Sequence, residues 1–228
     1  MGLMEENIVF KPFQFPWAIE IAEQHEDIHW TEKEINLAED VTQWKNGELL
    51  DVEKEHITSI LRLFTSADVI VAQNYCDFYI PKFPNNEIRS MLLSIAAREG
   101  IHQRAYALLN DTLGLHEKEY STFLEYKQMV NKANFMRDAD VNSHQGIAKS
   151  IALSVFNEGV TLFSAFAMLL NYQRRGKMKG MGTVIEWSIR DETLHVEGMS
   201  KLFREFCGEH SRILTDEFKS DIYEMARK

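Results

Sequence analysis

The sequence predicts an all-α fold, one domain built as a bundle of long helices. Three observations carry this. Apolar residues recur with a period near 3.6 along most of the chain, strand-like alternation is nearly absent, and all four prolines lie before position 85. The 228 residues suit one large domain, and 45% hydrophobic with 26% charged residues is ordinary for a soluble globular protein. No tandem repeat, low-complexity segment or linker divides the chain, so residues 1–228 read as one domain.

In chain order, helices are predicted near 16–29, 32–44, 52–79, 86–114, 117–135, 144–173, 178–207 and 214–227. "TEKE" at 31–34 has the form of a capping box with Thr31 as cap. "PNN" at 84–86 and "NSHQG" at 142–146 read as helix starts, and "RRGKMKGMG" at 174–182 as a turn. Four of these helices run about 28–30 residues, the length of a long bundle. A net charge of -10 weighs against a nucleic-acid surface, which needs a basic patch. Cys76 and Cys207 fit no metal or redox spacing and suit a reducing compartment. With no signal sequence and no unbroken apolar run of about 18 residues, a cytoplasmic protein without membrane association is expected.

The four long helices share an anomaly. Each carries acidic residues on its apolar stripe, where an ionised carboxylate is costly unless paired or bound to metal. On 52–79 the stripe is Ile57, Ile60, Leu61, Phe64, Asp68, Val71, Ala72, Tyr75. On 86–114 it is Leu92, Ile95, Ala96, Glu99, His102, Tyr106, Leu109. On 144–173 it is Ile151, Ser154, Val155, Glu158, Leu162, Ala165, Phe166, Leu169. On 178–207, Ile185, Ile189, Glu192, His195, Val196, Met199, Leu202 and Phe203 align, with the polar Ser188 among them and no role evident for it.

E-x-x-H alone is weak, because 24 glutamates and 8 histidines give roughly 0.8 such pairs by chance. Four occur. Glu53/His56 lies in a first helical turn and off the stripe, and Glu26/His29 on a mixed face near a helix end, so both read as surface residues. Glu99/His102 and Glu192/His195 are bracketed by apolar residues. With Asp68 and Glu158 they form the ferritin-like pattern: one carboxylate from each of two helices and E-x-x-H from each of the other two. Four carboxylates would balance two divalent ions, and carboxylate oxygens with one imidazole per ion suit iron or manganese.

On these residues the sequence resembles the small, radical-generating subunit of class I ribonucleotide reductase. "SADVIVAQN", "REGIHQRAY", "SVFNEGVTLFSAF" and "IRDETLH" are similar to its ligand helices, and "HWTEKEINLAEDVTQW" to the segment carrying its relay tryptophan. The resemblance implies that Asp68, Glu99 and His102 bind one metal ion and Glu158, Glu192 and His195 the other, with Glu99 bridging. It implies iron foremost, with manganese or a mixed pair as alternatives, and O2 as oxidant. It implies that Tyr106 becomes a stable radical, and that His102, Asp191 and Trp30 begin the relay to a large subunit that reduces ribonucleotides; a radical needs a dry pocket, and Leu162 and Phe166, one and two turns past Glu158, are candidates for its wall. A homodimer is implied too. The family chain continues past the helix ending near 207 to a mobile docking tail, so a shortened or split version, or a second chain supplying that part, is expected. Residue spacing leaves Tyr106 and Tyr75 level, each seven residues past a candidate carboxylate; the resemblance selects Tyr106. The rival readings are another ferritin-like dimetal oxidase, an iron-storage protein, and a metal-free helical interaction protein.

Overall fold

The computed structural model describes residues 2–137 and 140–227, the side chains of Thr65, Ser66, Lys132 and Met136 excepted. Among the described residues the regular structure is helical. We number the main helices α1 (Pro16–Asp27), α2 (Ala38–Lys45), α3 (Asp51–Asn74), α4 (Asn86–Leu113), α5 (Lys127–Arg137), α6 (His144–Phe156), α7 (Phe163–Arg174), α8 (Lys179–Glu209) and α9 (Asp216–Arg227). α4 packs against α1 and α3, and α8 against α6, α7 and α4.

The core falls into two apolar clusters with a polar layer between them. α3 enters through Ile57, Leu61 and Phe64 in one cluster and leaves through Ile70 and Val71 in the other, which Tyr75 just beyond its end also joins. α4 runs from Ile88, Leu92 and Ile95 in the second cluster to Ala105, Tyr106 and Leu109 in the first. The α6–α7 pair runs the same way, from Ile147 and Ile151 to Phe166 and Leu169, whereas α8 runs from Val184 and Ile185 to Met199 and Leu202. Adjacent long helices are thus antiparallel, and the residues midway along each meet in one layer.

Helix ends are fixed by the signals the sequence carries. Asn85 Oδ1 accepts the N–H groups of Glu87 and Ile88 at 3.0 and 3.4 Å, starting α4. Gly114, with φ of 74°, ends it in the left-handed conformation that glycine adopts without strain. Ser143 Oγ accepts from Gly146 N–H at 3.0 Å and starts α6. The start of α8 is held from another helix: Asp40 on α2 accepts the N–H groups of Gly180 and Met181 at 2.9 and 2.7 Å. Only glycine fits at 180, because a Cβ there would lie 2.5 Å from the Asn36 carbonyl oxygen.

Four predicted helices are corrected. The box at Thr31 holds a single 3-10 turn, Glu32–Glu34; Ile35 is extended, Asn36 Oδ1 accepts the Ala38 N–H at 3.0 Å, and α2 starts there. The segment predicted over 117–135 splits into Glu119–Thr122, a 3-10 turn Phe123–Glu125, and α5. Neither short piece has a buried residue that would hold the two in one line. The helices predicted over 52–79 and 144–173 each contain a π turn, at Tyr75–Tyr79 and Asn157–Leu162. The run His144–Arg174 also contains an 18-residue stretch apolar enough, on average, to cross a membrane. Counting unbroken apolar residues overlooked it. In this fold Ile147, Ile151, Leu162, Ala165, Phe166 and Leu169 of that run are buried in the core.

Candidate metal centre

Asp68 on α3, Glu99 and His102 on α4, Glu158 in the π turn before α7, and Glu192 and His195 on α8 all meet in the polar layer, each at most 1% exposed. Ligand-capable atoms of Asp68, Glu99 and His102 lie within 4.8 Å of one another, as do those of Glu99, Glu158, Glu192 and His195. Glu99 belongs to both groups. His195 Nδ1 stands 3.1 Å from Glu99, 3.1 Å from Glu192 and 3.4 Å from Glu158. His102 Nδ1 stands 3.3 Å from Glu192 and 3.8 Å from Glu99. Both histidines therefore present the same ring nitrogen to the carboxylates.

The residues fit a pair of cations. Asp68 Oδ2, both Glu99 oxygens, Glu158 Oε2 and His102 Nδ1 are buried without a hydrogen-bond partner among the described residues. Burial first, and then the Glu99 charge, push the Asp68 carboxyl well above its usual range. Burial alone would lower the two histidines. At His102 the Asp191 hydrogen bond and the adjacent Glu192 carboxylate outweigh it, and at His195 the Glu192 charge and the nearby Glu158 carboxylate, so both are pushed well above the ordinary histidine range. Without cations the layer must hold protons; divalent ions satisfy the same oxygens and release them. The donor set, carboxylates with imidazole and no thiolate, suits iron or manganese.

Asp191, on α8 beside Glu192, is fully buried and joins two partners through one oxygen. Its Oδ2 accepts from Trp30 Nε1–H at 2.8 Å and pairs with His102 Nε2 at 3.0 Å. The Trp30 ring stacks near that of His102, centroids 6.0 Å apart and planes 25° apart. Burial pushes the Asp191 carboxyl up, but the His102 hydrogen bond and charge outweigh it and hold the group below its usual value. Tyr106 is buried one turn past His102. Its ring stacks on Phe64 at 5.0 Å, Phe64 packs on Phe166 at 5.2 Å, and Leu162 lies in the same apolar cluster. Its hydroxyl donates to Ser188 Oγ at 3.1 Å. Burial, and next the Asp68 charge, push the phenol well above its ordinary value.

The other E-x-x-H pairs lie outside this layer. Glu26 and His29 are exposed. Glu53 does structural work: its carboxylate accepts from Leu50 N–H at 3.0 Å, from Arg175 at 2.9 Å and from Lys177 at 2.9 Å. His56 Nδ1 pairs with the Tyr172 hydroxyl at 2.8 Å.

Four further residues border the layer. The Tyr75 hydroxyl donates to Glu158 Oε1 at 3.0 Å, and Ser154 Oγ donates to the same oxygen at 2.7 Å. His25 is fully buried, edge-on to His195 with centroids 5.2 Å apart, and bonded through Nδ1 to Ser94 Oγ at 2.9 Å. The half-buried Trp187 meets Trp30 at 5.4 Å. Tyr75 and Ser154 stand on the Asp68 and Glu158 stripes of the sequence, whereas His25 and Trp187 give no such signal.

The sequence model of the family described as "Ribonucleotide reductase, small chain" matches residues 7–228. A probable ribonucleoside-diphosphate reductase small subunit of Invertebrate iridescent virus 6 is 40% identical over 225 residues; the match covers 92% of this chain and 62% of that relative. The chain thus spans less than two thirds of that relative's length. The fold is similar to the ribonucleotide reductase R2 subunit from Clostridium botulinum, with a TM-score of 0.86, 22% identity, and 94% of this chain and 69% of that one covered. It is also similar to the dimanganese(II) form of NrdF from Streptococcus sanguinis, with a TM-score of 0.85, 18% identity, and 98% and 78% covered. With a family match over nearly its whole length, this chain belongs to the ribonucleotide reductase small-chain family.

Proposed function

We propose that this chain acts as the radical-generating small subunit of a class I ribonucleoside-diphosphate reductase. The observation that carries the reading is the sharing of Glu99 between two buried groups of ligand-capable residues, with a solvent-free tyrosine one turn beyond. In this reading Asp68, Glu99 and His102 would hold one ion, and Glu158, Glu192 and His195 the other, with Glu99 within reach of both. Iron is the foremost occupant, and manganese or a mixed pair shares the donor chemistry. Loaded and exposed to O2, the centre supplies a one-electron oxidant.

The chain's own residues do the rest. Helices on both sides keep water and reductants from the layer. Asp191 fixes the His102 ring so that Nδ1 faces the carboxylates. Tyr106 gives up an electron and a proton and stores the radical inside the Phe64–Phe166 wall. Trp30, Asp191 and His102 form a continuous stacked and hydrogen-bonded path that begins the transfer to a large subunit. That path favours this reading over iron storage, which has no use for it.

The test is low-temperature EPR after anaerobic loading with Fe(II) or Mn(II) and oxygenation, with the oxidant that manganese requires. A tyrosyl signal that Tyr106→Phe abolishes and Tyr75→Phe preserves is expected. No tyrosyl signal from the properly loaded protein would remove the radical reading; a signal lost only in Tyr75→Phe would transfer the role to the tyrosine bonded to Glu158. The family further implies a homodimer, and sedimentation under reducing conditions should give about twice 26.5 kDa. A monomer at micromolar concentration would refute that part.

A further inference from the structure

Among the described residues, Ser188 is the hydroxyl that meets the phenol of Tyr106, and the proposed function assigns it no role. It is completely buried on α8, one turn before Glu192 and one turn after the buried apolar pair Val184 and Ile185. The neighbours of Tyr106 on its ring side are hydrocarbon: Phe64 stacks on it, and Phe166 backs Phe64. A lone hydroxyl in such a wall costs free energy unless it is paired. Here the pairing is specific, because Tyr106 O–H donates to Ser188 Oγ at 3.1 Å.

We propose that Ser188 is a positioning residue for the Tyr106 radical, accepting the hydrogen bond of the phenol and donating one to the phenoxyl oxygen. The inference rests on the radical role proposed for Tyr106. When that residue is oxidised, the electron goes to the one-electron oxidant of the loaded centre, and the phenolic proton is taken up in the reduction of the oxygen oxidant to water. The phenoxyl oxygen then has lone pairs only and can no longer donate. Serine is suited to this change because one hydroxyl offers both a donor and acceptor lone pairs, and it turns about a single bond. No backbone shift is needed, so the partner survives the change of state. An alanine at 188 would leave the radical oxygen with no partner from α8. The stored radical of this chain is therefore a hydrogen-bonded one held by a protein side chain.

Three measurements test this on the full chain. In the metal-free protein, ultraviolet resonance Raman should show the tyrosine doublet of a donating phenol, and Ser188→Ala should shift it. In the oxygenated, metal-loaded protein, high-field EPR should show a lowered g1 component. ENDOR should show a coupling to an exchangeable proton that is lost in D2O. Ser188→Ala should raise g1 and remove the coupling, and Ser188→Thr, which keeps the hydroxyl, should restore both. A wild-type tyrosyl signal with no exchangeable coupling, or one whose coupling and g1 are unchanged in Ser188→Ala, overturns the role of Ser188 while leaving Tyr106 as the radical. Loss of every tyrosyl signal in the loaded wild type instead overturns the radical reading, and this inference with it.

Discussion

Replacing Asp191 with Ala tests whether the link between Trp30 and the candidate centre governs metal binding or only burial of charge. The substitution takes away one carboxylate oxygen that serves two groups, the Trp30 indole N–H and His102 Nε2, at 2.8 and 3.0 Å. Both partners are at most 1% exposed, so water cannot replace the lost acceptor. An unpaired buried donor costs about 1–3 kcal/mol, so two cost about 2–6 kcal/mol. Removing a buried carboxylate recovers part of this, and a net loss of about 3 kcal/mol is expected from urea denaturation of the metal-free protein. His102 would also lose the partner that fixes its ring, and loss of such a partner weakens metal binding by about 10–100-fold. That is about 1.4–2.8 kcal/mol on the ion assigned to Asp68, Glu99 and His102. Anaerobic calorimetric titration with Mn(II) reads it directly. Trp30→Phe is the control: it removes one donor, keeps the His102–Asp191 pair, and should bind Mn(II) like the wild type. If Asp191→Ala loses stability as expected but binds both ions with unchanged affinity, the carboxylate merely neutralises its neighbours and the assigned link is wrong.

His195→Ala should remove most binding at one of the two ions, because its Nδ1 faces Glu99, Glu158 and Glu192 within 3.4 Å; full two-ion occupancy by metal analysis would sink the ligand assignment. Glu53→Gln should destabilise the protein by about 1 kcal/mol at neutral pH, the scale of a partly screened ion pair. The Lys177 hydrogen bond, and then that of the Leu50 N–H, hold the Glu53 carboxyl below its ordinary 4.5. Its contribution is therefore fully present above pH 4.5 and is lost as pH falls through the lowered folded value. The wild-type and variant stability curves should converge in acid, and a gap that stays constant down to pH 2 would contradict this.

The bundle and its polar layer were legible because both are periodic. A helix that buries one face repeats its apolar residues every 3.6 positions, so Glu99 or Glu192 in that stripe declares a buried carboxylate without any coordinates. Interruptions are not periodic in the same way. A π turn adds one residue to the hydrogen-bond ring and leaves side-chain chemistry unchanged, so nothing at Tyr75–Tyr79 or Asn157–Leu162 marks it in the sequence. His25 was missed for another reason. It stands alone in "EQHED", among polar residues, and only the fold shows that its ring reaches His195. Glu53 was read as a surface residue from its place in a first turn; its binding to Arg175 and Lys177 depends on residues more than 120 positions away. Short-range pattern reveals which face of a helix is buried, but not which distant loop returns to meet it.

The position of the layer between two apolar clusters explains how the protein tolerates it. Apolar side chains at these six positions would each contribute about 1.5–3 kcal/mol by burial, and the chain places carboxylates and imidazoles there instead. The loss is confined because the layer is only about one to two helical turns thick. On α4 it extends from Glu99 to His102, with Ile95 on one side and Ala105 on the other, all buried. On α8 it extends from Asp191 to His195, with Ser188 before it and Met199 after it. Each apolar cluster is continuous across several helices, so each holds the helix ends in register when the middle is frustrated by like charges. Rigid elements on both sides then fix the facing distances of Asp68, Glu99, Glu158 and Glu192 before any cation arrives. The same frustration leaves oxygen atoms of Asp68, Glu99 and Glu158 unpaired, so the strain that weakens the metal-free fold is what a pair of divalent ions would relieve.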